Sequence, residues 1–221
     1  MNGESQQTTS SRALVWIGLF ASLFGMLMIR WIIPRLFPGP QSPQSVLTRE
    51  VGHYCLAASL LLLVRFGEKR SLRTIGIGTS AWWKSLLWGL ATFVICMAAA
   101  LVLAKLTHYT GGEAGKAFEQ LPTWLVTLTV LRAGIVEEIC YRGYAMERLK
   151  ELSGSKMLAF VLPLVIFGVG HWTGGWANIV IALVLGGILA GFYLWRRDLI
   201  ANILGHFLVD FTANVLPRLL R

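Results

Sequence analysis

Along the 221 residues, apolar positions gather into long runs instead of alternating with polar ones. The runs cover residues 13–33, 51–66, 86–106, 122–149 and 156–172, a sixth ending at Trp195, and 199–216. Most approach the roughly 20 residues that an α-helix needs to cross a hydrocarbon core about 30 Å thick. Helix is the expected conformation, because in lipid every backbone polar group must be satisfied within its own segment. The pattern predicts an all-α, polytopic membrane protein with about seven transmembrane helices in a bundle.

Polar punctuation divides the runs. Residues 1–12 read as an unstructured cytoplasmic tail. The first run continues into Arg30, Trp31 and the proline-bearing loop at 34–43, with no small-residue cleavage site, so it reads as a retained helix and not a signal peptide. Three spans fill residues 13–106. Residues 107–120, with Gly111 and Gly112, read as a polar loop and a boundary, and 121–221 as a second part with four spans. Pro122 suits the first turn of its helix. We find neither an internal repeat nor a low-complexity tract.

Composition agrees, with 55% of residues hydrophobic and 14% charged. The net charge of +9 sits in short clusters between the runs, where membrane topology and anionic lipid account for it. No basic face accompanies it, so no nucleic-acid partner is expected. A cytoplasmic amino terminus puts Arg65, Lys69, Arg70, Arg73, Lys84, Arg148, Lys150, Lys156, Arg196 and Arg197 inside, with Arg30, Arg35 and Arg49 on the opposite side. The compact size points to the inner membrane of a bacterium. Cys55, Cys96 and Cys140 all lie in apolar runs and imply no disulfide framework. Trp172, Trp176 and Trp195 read as interfacial anchors, and Gly186, Gly187 and Gly191 as close helix-packing sites.

Candidate chemistry concentrates in the carboxy-terminal half. Ionisable groups inside a span are costly and mark function or need partners. Glu137 and Glu138 are adjacent, and helical geometry turns them about 100° apart. Glu138 and Arg142, four residues apart, share a face and should pair. Glu137, with Tyr141 as its own neighbour, is then the carboxylate left for general-base work. Phe167 with His171, and His206 with Asp210, are two further pairs at the same spacing on two other runs. A buried ion network holding helices together would explain the carboxylates alone; two histidines in separate spans beside them favour a site. His53 and His108 fall outside the cluster, and Cys140 is turned away from Glu137.

These residues resemble the motifs of the CPBP family, the CAAX proteases and bacteriocin-processing enzymes that include the type II CAAX prenyl endopeptidases. Glu137, Glu138 and Arg142 look like the first motif, Phe167 and His171 the second, and His206 and Asp210 the third, within residues 121–215. The resemblance implies a glutamate-dependent intramembrane endopeptidase. In it Glu137 and His171 activate water, His206 and Asp210 stabilise the oxyanion, and Glu138, Arg142 and Phe167 support the site. Asp210 departs from the asparagine common in the family; an ionised carboxylate accepts but cannot donate, so orienting His206 is its preferred role.

The glutamate–water scheme requires no cofactor. Zinc is the alternative, with Glu137, His171, His206 and Asp210 as its candidate ligands, although the His-Glu-x-x-His signature is missing. The expected partners are the lipid bilayer and a membrane-tethered protein or hydrophobic peptide as substrate. Two other classes compete: a non-catalytic regulator or immunity protein with the same fold, and a proton-coupled transporter using the same residues as a relay.

Overall fold

The computed structural model describes residues 2–36 and 42–220, and among these every regular element is helical. Helix α1 (Asn2–Leu36) begins at Asn2, so most of the expected unstructured tail is helical. Once the apolar run has nucleated a helix, each further residue adds a hydrogen bond at little cost. At its other end α1 continues through Pro34 to Leu36, shortening the loop expected at 34–43, of which residues 37–41 lie outside the described residues.

Helix α2 (Pro43–Leu62) starts eight residues before the apolar run that announced it. The cause is local: the Ser45 N–H donates to the Ser42 hydroxyl at 3.2 Å, and Pro43 fills the first turn. Glu50 and His53 are thereby carried into the bundle. A short wide turn, Leu63–Gly67, ends this span. Helix α3 (Trp82–Thr107) follows, and the stretch expected as a loop at 107–120 contains a helix of its own, α4 (Gly112–Glu119).

The second half starts with a continuous helix over 123–153, here α5, with α6 (Lys156–Val169), α7 (Gly175–Arg196) and α8 (Leu199–Asn214) after it. Helix α8 is central, packing along α3 and against the middle of α5, while α1 and α2 close the other side of α5. Gly134 allows the α5–α8 approach: a Cβ there would stand 2.9 Å from the Phe207 Cβ.

Among the described residues, four helical stretches are long and apolar enough to cross a membrane: Arg12–Leu36, Pro43–Gly67, Trp82–Thr107 and Trp172–Arg196. The remaining three expected spans fall short of that description for physical reasons. Helix α5 carries its charges in mid-helix, and α6 and α8 have only 14 and 16 residues. At about 1.5 Å per residue, α6 covers two thirds of a bilayer core. The chain is an all-α polytopic integral membrane protein, with its ionisable residues on helices sheltered by apolar ones.

The basic loops meet at one end. Arg70 pairs with Glu151 at 2.6 Å, Arg148 with Glu68 at 2.6 Å and Arg197 with Glu147 at 2.9 Å.

Candidate active site

Helix α5 widens from Ala133 to Met146 into the i→i+5 hydrogen-bond pattern, a geometry associated with functional sites. The wider turn makes residues five apart neighbours. Arg132 Nη1 donates to Glu137 Oε1 at 2.5 Å. Glu137 therefore has a cation of its own, where the sequence suggested Tyr141 as its neighbour and an unpaired carboxylate. The expected partnership of Glu138 holds: Arg142 Nη1 donates to its Oε1 at 2.8 Å.

Arg132 reaches further. Its Nε donates to Glu50 Oε2 at 2.6 Å, so one buried guanidinium ties α2 to the first glutamate of α5. His53 Nδ1 stands 3.8 Å from the same Glu50 oxygen, which makes His53 part of this network and not the bystander its sequence position suggested. With Oε1 of Glu137 occupied, Oε2 is buried without a hydrogen-bond partner among the described residues.

Glu138 has no such free oxygen. Besides Arg142 it accepts from Asn202 Nδ2 at 3.1 Å and meets His206 Nδ1 at 2.9 Å. Asn202 also donates to the Leu189 carbonyl at 2.9 Å, which fixes its amide. Arg142 Nη2 donates to the Gly186 carbonyl at 3.1 Å and its guanidinium lies over the Phe167 ring, 4.4 Å from the centroid. These contacts make Glu138 a fully bonded hub joining α5, α7 and α8.

His206 lies on α8, as expected, and His171 arrives differently from its expected placement. Helix α6 ends at Val169, so His171 sits in the turn after it, and the Phe167–His171 pair does not share a continuous helix. The two rings still touch, tilted at 55° with 4.6 Å between centroids, and His171 Nδ1 lies 2.8 Å from the Phe167 carbonyl. A carbonyl can only accept, so Nδ1 carries the hydrogen and a neutral His171 presents a bare Nε2. For His206 the close partner is Glu138; Asp210 Oδ2 is 3.6 Å from Nε2, too far for a hydrogen bond. The orienting role expected of Asp210 is thus filled by Glu138. The Asp210 side chain is 32% exposed.

Glu137, His171 and Asp210 line one cavity of about 860 Å³. His171, His206 and Asp210 line an adjoining recess of about 100 Å³ with Phe167, Ala182 and Leu189. The larger cavity extends to Tyr109, Phe118 and Arg218, away from the basic loops. Burial raises the Tyr109 hydroxyl above its ordinary value, so that wall is a neutral phenol.

No three His, Cys, Asp or Glu side chains among the described residues come together closely enough to hold a metal ion. The four residues considered from sequence as zinc ligands, Glu137, His171, His206 and Asp210, line the two hollows without forming such a group.

Sequence reasoning missed Arg132, Glu50, Asn202 and Arg30. The five-residue spacing of Arg132 to Glu137 reads as a different face in an ordinary α-helix. Glu50 stands just outside its apolar run, and Arg30 reads from sequence as a topology residue.

Fold and site together define an integral membrane protein with buried carboxylate and imidazole groups around a polar hollow. Residues 119–212 match the family described as type II CAAX prenyl endopeptidase, Rce1-like. That is a protease family, and the matched segment holds Glu137, Glu138, Arg142, Phe167, His171, His206 and Asp210. The match supports a peptide hydrolase acting on a membrane-embedded protein substrate. No curated protein and no solved structure matches the chain.

Proposed function

We propose that the protein is a glutamate-dependent intramembrane endopeptidase. The observation that carries this reading is the free Oε2 of Glu137, in a cavity also lined by His171. Both Oε2 and the bare Nε2 of His171 are acceptors, so a water held between them gives one hydrogen to each. Glu137 takes the proton as the oxygen attacks the scissile carbonyl carbon, and later delivers it to the leaving amine. With a proton on each nitrogen, His206 donates to Glu138 through Nδ1 and to the oxyanion through Nε2. Asp210 borders the same oxyanion position and tunes it.

Water at this depth needs a path, and the 860 Å³ cavity offers one toward the end of the bundle opposite the basic loops. The gathering of those loops at one end supports a cytoplasmic amino terminus, and we place the protein in a bacterial inner membrane. The experiment is a comparison of membrane peptides by mass spectrometry between cells carrying wild type and cells carrying Glu137→Ala. Uncut precursors accumulating in the variant support the reading, and identical peptide inventories oppose it.

A further inference from the structure

His171, Asn178, Ile181, Leu185, Val209 and Asp210 each line both the large cavity and the recess beside it, so the two hollows meet among them. His171 and Asp210 have work in the mechanism proposed above. Asn178 is the polar residue of this junction that has none. It stands in the first turn of α7, and Ile181 and Leu185 follow it on the same helix face at spacings of three and four.

The amide of Asn178 is held in one orientation. Nδ2 donates to the His171 carbonyl at 3.1 Å, and since a carbonyl only accepts, the atom on the other side of the amide is the oxygen. Gly174 gives the amide its seat, because a Cβ there would collide with Nδ2. Oδ1 has no hydrogen-bond partner among the described residues and is not enclosed, so a fixed acceptor stands open at the junction. What suits it is a neutral donor. A cation entering the hollow is drawn to Glu137 and Asp210, whereas a backbone N–H is uncharged, recurs at every non-proline residue and comes flanked by side chains that can pack on Ile181 and Leu185.

We infer that Asn178 is a substrate-binding residue, whose Oδ1 accepts one backbone N–H of the bound peptide beside the scissile bond while Nδ2 holds the turn that presents His171. The assignment rests on the proteolytic reading above for the identity of the ligand as a peptide. One amide thereby ties the position of the substrate backbone to the position of the imidazole. In an extended chain successive side chains point to opposite sides, so a residue anchored on Asn178 turns a neighbouring side chain toward the recess. Proline, which has no N–H, is excluded from the anchored position.

The test is calorimetric titration of N-dodecanoyl-alanyl-leucyl-valinamide, and of its analogues with one internal N–H at a time replaced by an ester oxygen, into the full chain in detergent. Glu137→Gln serves as the parent, so that the peptide stays uncut. One ester analogue should bind the parent about threefold to tenfold more weakly than the all-amide peptide, and adding Asn178→Ala should bring the two within about twofold. Asn178→Asp keeps an oxygen at the junction and should retain the penalty, which guards against a folding defect in the alanine variant. Equal binding of all probes to the parent, binding of none, a penalty that survives in Asn178→Ala or one that vanishes in Asn178→Asp overturns the assignment. A penalty that follows Asn178 in a protein whose wild type cuts no peptide would leave the assignment standing and remove the protease. Cleavage by wild type with no ester penalty in the parent would do the reverse.

Discussion

The Nδ1 atom of His206 lies 2.9 Å from Oε1 of Glu138, so the second glutamate of the pair serves an imidazole on a different helix. The two carboxylates therefore have separate work: Glu138 holds α8 in register and fixes its histidine, while Glu137 keeps one oxygen free at the cavity.

Glu138→Gln should separate these tasks. The amide keeps the shape, but one of its two positions becomes a donor facing Arg142, Asn202 or His206, and the hub cannot satisfy all three. We expect kcat to fall on the order of 10²-fold with KM little changed, measured on a membrane peptide in detergent.

Asp210 should matter less than its motif position suggests. It stands 3.6 Å from His206 Nε2 and does not hold the ring. Asp210→Asn should keep activity within about tenfold, whereas His206→Ala removes the oxyanion donor and costs about 10²–10³-fold. A fully inactive Asn variant with wild-type thermal stability would count against this division.

Arg132 joins two carboxylates inside the bundle, so Arg132→Met strands both. Removing one member of a buried ion pair costs about 3–5 kcal/mol, which should appear as a large drop in Tm in detergent. Glu50→Gln leaves the Arg132–Glu137 pair intact and should cost less stability while still lowering kcat. Equal Tm for wild type and Arg132→Met would contradict the network.

Glycine positions that look alike in sequence should respond differently. A Cβ at Gly186 would stand 2.9 Å from the Phe167 ring and 3.0 Å from Arg142 Nη2, and one at Gly191 meets nothing within 4 Å. Gly186→Leu should therefore overpack the hub at a cost of about 1–3 kcal/mol and lower activity with it. Gly191→Leu should leave Tm and activity unchanged, and thermal melts of the two variants side by side check the contrast.

The helical membrane architecture was legible because bilayer thickness imposes run length directly on the sequence. The motif residues were legible because four-residue spacing reports a shared helix face, as Glu138 and Arg142 show. What escaped detection had physical causes. The widened turn of α5 brings Arg132 to Glu137 at five residues, a distance that an α-helical reading assigns to another face. Glu50 depends on a cap eight residues before the apolar run, and the run alone gives no sign of it. Glu138's bond to His206 crosses 68 residues, and nothing in local spacing selects Glu138 over Asp210 as the partner of that imidazole.

The central claim is that the free oxygen of Glu137, beside His171, activates a water. It is tested most directly by reconstituting the purified full chain in liposomes with an accumulated precursor and measuring the rate of bond cleavage for wild type, Glu137→Gln and His171→Ala. Wild type should cut, and each variant, folded to the same Tm, should lose about 10²-fold or more in kcat. Cleavage by Glu137→Gln at the wild-type rate would contradict the account.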